Sequence, residues 1–130
     1  MESREKNYDV IIVGGGLVGG CLARALGLQG FKVAVVDEND AKKTLQDYRD
    51  GRSYAISLGS KRILDEIGLW SSMEDQAHPI ETILVGSEVD DTFLTYHRED
   101  VGEDALGFMI DAGLFRRTIL SKSLESKNVS

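Results

Sequence analysis

The sequence predicts an α/β fold built on a parallel sheet, and three observations lead to that prediction. An apolar run at residues 8–13 enters three consecutive glycines, as a buried parallel strand entering a tight turn does. Apolar residues then recur every three to four positions over residues 17–28, which indicates a helix, and Gly30 follows where a helix commonly ends. A second apolar run at residues 31–36 completes a strand–helix–strand unit, whose strands must be parallel with a right-handed crossover.

Size and charge restrict the class of protein. With 130 residues, 42% of them hydrophobic and 28% charged, the sequence predicts a soluble globular chain of one domain at most. The formal net charge is -7, and the basic residues form scattered pairs such as Arg116 and Arg117. Nucleic acid is excluded as a partner, because phosphate binding needs a clustered positive face.

Cysteine content and hydropathy indicate the compartment. The single cysteine, Cys21, has no Cys or His partner at zinc-ligand spacing, which favours a reducing environment and predicts no metal site. No apolar run approaches the roughly 20 residues that a transmembrane helix needs. The charged first residues lack the apolar segment of a secretion signal, so we expect a cytoplasmic protein.

The middle of the chain alternates between polar and helical patterns. Residues 39–51 are polar and aperiodic, which predicts a surface loop with a helical turn. Residues 58–67 form a predicted helix capped by Ser57 or Ser60, and Trp70 after it is expected to anchor the core. The apolar residues of that helix are expected to face inward: Ile63, Leu64 and Ile67.

In the second half of the chain, apolar residues alternate with polar ones, as in a sheet with one exposed face. Residues 81–85 and 92–96 are predicted to form two antiparallel strands joined by an acidic turn. A short strand at 106–110 and a helix at 112–125 follow. Residues 127–130 resemble the first step into one more strand.

A glycine motif opens the first helix. Its pattern is G-x-G-x-x-G and its residues are Gly14, Gly15, Gly16, Leu17, Val18 and Gly19. Gly14 permits the sharp turn, Gly16 allows the backbone to approach a pyrophosphate, and Gly19 lets the helix pack on the strand. The pyrophosphate is expected on the free N–H groups at the helix N-terminus.

Two carboxylates close the second strand. Asp37 stands where an acidic residue accepts hydrogen bonds from the adenosine ribose, and its charge would repel a 2′-phosphate. Its neighbour Glu38 is included in the candidate cofactor-binding set. The motif therefore predicts FAD or NAD in a Rossmann-like fold, and it does not separate the two.

Four further segments resemble a known family. They are residues 50–57 (DGRSYAIS), 63–70 (ILDEIGLW), 77–83 (AHPIETI) and 105–114 (ALGFMIDAGL). In order and spacing they are similar to the flavin-dependent aromatic hydroxylases of ubiquinone biosynthesis. The resemblance extends from Tyr8 to the end of the chain, and the DGR block and the helix end at Trp70 are its most specific parts.

The resemblance implies an FAD-dependent monooxygenase in which NAD(P)H reduces the flavin and O₂ supplies the oxygen for an aromatic ring. The substrate would be a small aromatic molecule, with or without a prenyl tail. Arg52, in the DGR block, would lie beside the flavin, where a guanidinium hydrogen-bonds cofactor oxygens. The cofactor carries this chemistry, so no catalytic side chain is assigned.

The sequence also departs from the family. Asp37 replaces the commoner glutamate, and a later Gly-Asp segment of the family has no counterpart, so we expect the chain to be incomplete at its C-terminal side and inactive alone. The predicted division is 1–78 for the first part of the FAD-binding domain, 79–104 for the start of a substrate-domain sheet, and 105–130 for a return to the FAD-binding domain. Peripheral association with the inner membrane or a biosynthetic complex would use parts absent from this sequence.

Two alternatives stay open. One is an NAD-dependent dehydrogenase domain, which explains the glycine motif and leaves the DGR block unexplained. The other is a non-catalytic nucleotide-binding fragment. His78, in a predicted loop, and His97, at a strand end, have no nearby nucleophile and are expected to be ordinary surface or packing residues.

Overall fold

The structure is a computed structural model that describes residues 6–46 and 51–130. The first five residues of the chain and residues 47–50 of the predicted 39–51 loop lie outside the described ranges, and Asp50 of the DGR block is one of the latter four. The helices and strands are, in chain order, β1 (Val10–Val13), α1 (Leu17–Leu28), β2 (Val33–Val36), α2 (Ala41–Gln46), β3 (Ser53–Ser57), α3 (Leu58–Glu66), two 3₁₀ turns (Trp70–Ser72 and Glu74–Gln76), β4 (His78–Ile80), β5 (Thr82–Gly86), β6 (Phe93–His97), α4 (Arg98–Val101), β7 (Gly107–Asp111) and α5 (Ala112–Glu125).

The strand–helix–strand unit is confirmed. Strands β1 and β2 are parallel, with Val10 opposite Val33 and Val13 opposite Val36. Helix α1 packs on one face of this pair, where Ile12, Ala23 and Val33 form a small buried core. Each strand is two residues shorter at its start than the sequence predicts, whereas the helix has the predicted bounds.

The end of the chain adds a third parallel segment to this sheet. Val129 forms a parallel bridge with Val33. The Val33 amide donates to the Asn128 carbonyl at 2.7 Å, and the Ser130 amide donates to the Val33 carbonyl at 2.9 Å. The strand that the sequence begins at its last residues is therefore confirmed.

A three-stranded antiparallel sheet has the order β3–β7–β4. Sequence reasoning missed strand β3. It also placed His78 in a loop, which is wrong, because His78 begins β4 and pairs with Met109 of β7. Pro79 in β4 lacks an N–H group, and an edge strand tolerates this because one side of it needs no partner.

The larger core lies between this sheet and helices α3 and α5. Its buried members are Ile56, Leu64, Ile67, Leu69, Trp70, Met73, Ile110, Phe115 and Ile119. Trp70 is only 2% exposed and meets the Phe108 ring edge-on, with 5.1 Å between ring centroids, so its predicted core role is confirmed.

Helix α3 corrects one prediction about packing. The Ser57 hydroxyl oxygen accepts a hydrogen bond from the Ser60 amide, so Ser57 is the capping residue. Leu64 and Ile67 face the core, but Ile63 is 58% exposed, so its predicted inward orientation is wrong. Residue 63 lies about 100° away from residue 64 around the helix axis, and Ile67 is the C-cap residue just beyond the helix.

Strands β5 and β6 form the predicted antiparallel hairpin, in which Thr82 lies opposite His97 and Gly86 opposite Phe93. Residues of both strands are exposed. The predicted division at residue 78/79 falls within β4, which pairs with β7; the division stays a prediction. Within the described ranges, no helix is both long enough and apolar enough to cross a membrane.

Candidate functional site

The turn between β1 and α1 has two glycines that the fold itself requires. Gly14 has φ +100°, a conformation that L side chains rarely adopt. Its amide donates to the Val36 carbonyl at 2.7 Å, which ties the turn to the end of β2. At Gly19 a Cβ would collide with the carbonyl oxygen of Gly14, so α1 approaches β1 this closely only because position 19 is glycine.

Gly16 is different, because the fold leaves room for a side chain there. It is the N-cap residue of α1 with φ -69°, which any residue adopts. Apart from Gly16 itself and its two neighbours in the chain, no heavy atom of the described residues lies within 4 Å of the place where its Cβ would stand. Gly16 lines an open cleft, so the absence of a side chain at this position leaves free space in the cleft.

The Asp37 carboxylate lies next to this turn and accepts three hydrogen bonds. Its Oδ2 accepts from the Gly15 amide at 2.6 Å. Its Oδ1 accepts from both the backbone amide and the side-chain amide of Asn39, each at 2.8 Å. Asp37 thus connects the glycine turn to the segment that follows β2.

These contacts lower the pKa of Asp37 below its ordinary value. The backbone amide of Asn39 contributes most, followed by the Gly15 amide and the Asn39 side chain, and the positive charge of Arg116 adds to the effect. Hydrogen bonds donated to a carboxylate favour its charged form. Asp37 is therefore a charged acceptor at neutral pH.

A cleft of about 1010 Å³ joins these parts. One wall is the glycine turn with the start of α1, and another is the segment from Asp37 to Thr44. Helix α5 contributes Arg116, and the chain end contributes Val129 and Ser130. The first N–H groups of α1 have no partner within the helix, and no side chain caps them, so this wall favours an anion.

The structure brings most of the predicted site residues together. Those that line the cleft are Gly14, Gly15, Gly16, Leu17, Val18, Gly19 and Asp37. Glu38 and Arg52 are not on its walls. Arg52 directly precedes β3, where its carbonyl oxygen accepts a hydrogen bond from the Ala112 amide at 2.9 Å, and Tyr54, two residues further on, does line the cleft.

Sequence reasoning did not assign several other residues of the cleft, among them Asn39, Tyr54 and Arg116. A signal existed for Asn39, since an aspartate whose carboxylate accepts the amide two residues later is a common turn. Arg116 was counted only as one of the scattered basic pairs, because a single sequence does not show that α5 borders the glycine turn.

Within the described ranges, no group of three or more His, Cys, Asp or Glu side chains is placed to hold a metal ion.

Comparison with known proteins identifies the family. Residues 7–114 match the family described as FAD binding domain, which accounts for most of the chain. The chain belongs to this family. FAD is therefore its cofactor, and the α/β fold predicted from the sequence is confirmed, as is the resemblance to the ubiquinone-pathway hydroxylases.

This FAD-binding domain has curated relatives of greater length. It is 41% identical over 120 residues to ubiquinone hydroxylase UbiL of Rhodospirillum rubrum, covering 92% of the chain and 28% of that protein. It is 29% identical over 118 residues to the 3-demethoxyubiquinol 3-hydroxylase of Escherichia coli, covering 89% and 29%. The chain thus spans less than a third of the length of either relative.

Solved structures share the fold of this FAD-binding domain. PqsL, a probable FAD-dependent monooxygenase from Pseudomonas aeruginosa, superposes with a TM-score of 0.67 over 96% of this chain and 32% of its own, at 20% identity. The residues of the cleft also suit part of FAD. The free space at Gly16, the N-terminus of α1 and the charged Asp37 offer what a pyrophosphate and an adenosine ribose require.

Proposed function

We propose that this FAD-binding domain is part of a monooxygenase that hydroxylates an aromatic ring of the ubiquinone-precursor type, with NAD(P)H as reductant and O₂ as oxidant. The support is the 41% identity to a ubiquinone hydroxylase over 92% of the chain, together with the DGR block. Because the chain spans 28% of that relative, the activity of the whole protein is part of the proposal.

The observation that carries the proposal is the junction of the glycine turn, the helix N-terminus and Asp37 in one cleft. The Gly15 amide is already engaged by Asp37, so the N–H groups at the start of α1, beginning at Leu17 and Val18, are the donors for the FAD pyrophosphate. Arg116 lies in the same cleft and adds positive charge. The adenosine ribose then lies at Asp37.

The residues of this chain bind and orient the cofactor. When bound, FAD would supply the redox and oxygen chemistry, with NAD(P)H as the reductant. Arg52 is proposed to lie beside the flavin, and Glu38 to add negative charge at the ribose end. No side chain of the chain is proposed as a nucleophile.

Arg52 provides a separate test of the flavin position. Arg52→Ala should shift the absorption maxima and the reduction potential of the bound flavin, because it removes a guanidinium from the cofactor oxygens. Arg52→Lys keeps the charge and should restore part of the potential. If both variants hold flavin with the wild-type spectrum and potential, Arg52 does not contact it.

The substrate, the partners and the location are proposals that follow from the same resemblance. A small aromatic substrate with a prenyl tail would place the protein in the cytoplasm at the surface of the inner membrane, or in a biosynthetic complex. Residues 79–104 are proposed to begin the substrate-side sheet. The hairpin β5–β6 supports this, because its strands pair with each other and with no other strand of the described residues.

A titration tests the cofactor assignment. The protein is mixed with FAD and, separately, with NAD, and flavin fluorescence and calorimetric heat are recorded. FAD should bind saturably and NAD should not. Saturable binding of NAD without binding of FAD would contradict the proposal.

A second measurement separates an enzyme from a non-catalytic module. NAD(P)H consumption is followed with added FAD and O₂, for the 130-residue chain and for a chimera in which the remaining length of the Rhodospirillum rubrum relative is added. We expect consumption only by the longer protein. Consumption by neither, with FAD bound to both, would favour the non-catalytic alternative.

A further inference from the structure

Asn39 occupies a defined place in the cleft and had no role in the sequence analysis. It lines the cleft in the segment that joins β2 to α2, two residues after Asp37. Its backbone amide and its side-chain nitrogen Nδ2 both donate to Asp37 Oδ1 at 2.8 Å. The side chain is exposed, so the fold does not need it as a packing residue.

The contact with Asp37 determines which end of the Asn39 amide is the acceptor. A carboxylate only accepts hydrogen bonds, so the amide atom that faces it must be the nitrogen. The other end of the amide is then the carbonyl oxygen Oδ1. Among the described residues, no hydrogen bond to this oxygen occurs.

Asp37 alone offers little room for the two hydroxyl groups of a ribose. A carboxylate has about four acceptor sites. Three donors occupy Asp37 already, namely the Gly15 amide and the two N–H groups of Asn39. About one acceptor site of the carboxylate remains for the ribose, so its second hydroxyl needs a different acceptor. The Asn39 oxygen is close by, because it belongs to the same amide group whose nitrogen contacts Asp37.

We propose that Asn39 is a cofactor-binding residue whose side-chain oxygen accepts a hydrogen bond from one ribose hydroxyl of the FAD adenosine. Its side-chain nitrogen donates to the Asp37 carboxylate and so positions that carboxylate to accept from the other ribose hydroxyl. The inference rests on the proposed position of the adenosine at Asp37. It assigns the two ends of one amide to two tasks. It also explains why an exposed asparagine faces this cleft.

The test compares FAD with two analogues, in which the adenosine carries 2′-deoxyribose or 3′-deoxyribose. Dissociation constants are measured by flavin fluorescence for the wild-type chain, for Asn39→Ala and for the control Asn7→Ala, an exposed asparagine outside the cleft. Asn39→Ala should weaken FAD binding about 5- to 10-fold, as expected for a lost hydrogen bond. Asn7→Ala should leave it unchanged.

The analogues separate direct binding from an effect through Asp37. One of the two should bind the wild-type chain more weakly than FAD and lose little further affinity in Asn39→Ala, because its missing hydroxyl is the partner of Asn39. The other should still lose affinity in the variant. Equal losses for FAD and both analogues would show that Asn39 acts only by positioning Asp37, and would overturn the inference.

A second measurement does not depend on a variant. In a ¹⁵N-labelled wild-type chain, the Asn39 side-chain amide signals should shift on addition of FAD, and shift less with one of the analogues. Unchanged signals at saturating FAD would overturn the inference while leaving FAD binding intact. Absence of saturable FAD binding by the wild-type chain would instead overturn the proposed function, and the inference with it.

Discussion

The parallel strands β1 and β2 and the antiparallel sheet β3–β7–β4 differ in what holds them in place. The parallel pair shares a small core with α1, in which the buried residues among those described are Ile12 and Val33 of the strands and Ala23 of the helix. Val13, on the other face of the pair, is 86% exposed. Among the described residues, nine form the core at the antiparallel sheet, and seven of them, including Trp70 and Phe115, lie outside its strands. Yet the glycine turn and Asp37, which face the cleft, belong to the parallel pair.

Local constraints hold the cleft side in shape where burial is small. The positive φ of Gly14, its hydrogen bond to Val36 and the Asp37 contacts fix the turn. Helix α1 connects the cleft side to the large core, against which Leu17, Cys21 and Ala25 pack. Gly20 lets α1 touch Ile119 of α5, and the Arg24 guanidinium donates to the Ile67 carbonyl at 3.0 Å. We therefore expect substitutions in the cleft to change binding more than folding, and substitutions in the core to do the reverse.

Gly16→Val should give the largest effect on binding. A side chain there has open space in the fold but would enter the path of the pyrophosphate, so FAD affinity should fall at least 1000-fold, about 4 kcal/mol. The far-ultraviolet circular dichroism and the melting temperature should stay close to wild type. Gly59→Val is a matched control, since its Cβ would also meet little and it lies outside the cleft. Wild-type flavin stoichiometry in Gly16→Val would remove the phosphate role of this turn.

Trp70→Ala should show the opposite pattern. Trp70 packs edge-on against Phe108 and lies beneath Lys61, whose ammonium is 5.1 Å from the ring centroid. Truncating a buried tryptophan costs about 3–5 kcal/mol of unfolding free energy. Urea titration should show this loss, while the FAD dissociation constant of the protein that remains folded should change less than twofold. A large loss of affinity in the folded protein would mean that the two regions are more tightly coupled than their contacts indicate.

The two regions also differ in how well the sequence predicts them. The first strand–helix–strand unit follows from apolar periodicity and glycine placement, and α1 has the predicted bounds. Strand β3, Ser53–Ser57, was missed because its pairing partner β7 is 50 to 58 residues away along the chain. The single-sequence pattern contains no record of such a distant pairing.

The site divides in a similar way. Asp37 and the glycines were found because their spacing is a local signal, and both line the cleft. Arg116 was missed because α5 reaches the cleft only through tertiary packing. Asn39 was missed because the acceptor role of an asparagine depends on the orientation of its amide, which its contact with Asp37 decides.

Asp37→Ala should give an intermediate effect. Loss of a charged acceptor for a ribose hydroxyl should weaken FAD binding by about 1–3 kcal/mol. The same change leaves the Gly15 amide without its partner, so a smaller loss of thermal stability should accompany it. Asp91→Ala, at an exposed position in the hairpin turn, is the control and should change neither quantity. Unaltered FAD affinity in Asp37→Ala would remove the ribose from this position.

The smallest predicted effect is a dependence of FAD affinity on pH. The pKa of Asp37 is lowered, so its charged form is favoured in the folded protein. The FAD affinity that the charged carboxylate contributes should be fully present above the ordinary carboxylate pKa and should be lost as the pH falls through the lowered value. FAD affinity should be constant from about pH 5 to 8 and decline below about pH 4. The positive charge of Arg116, on α5, also favours the charged form of this carboxylate.

Two variants test whether this decline belongs to Asp37. Asn39→Ala removes a hydrogen bond that favours the charged carboxylate, so its decline should begin at higher pH than in wild type. Asp37→Asn has no charge to lose and should show no decline from this group. Titrations are limited to the pH range in which circular dichroism reports a folded chain. If Asp37→Asn declines with the wild-type midpoint, another group controls the binding, and the local contacts of the glycine turn do not set the electrostatics of the cleft.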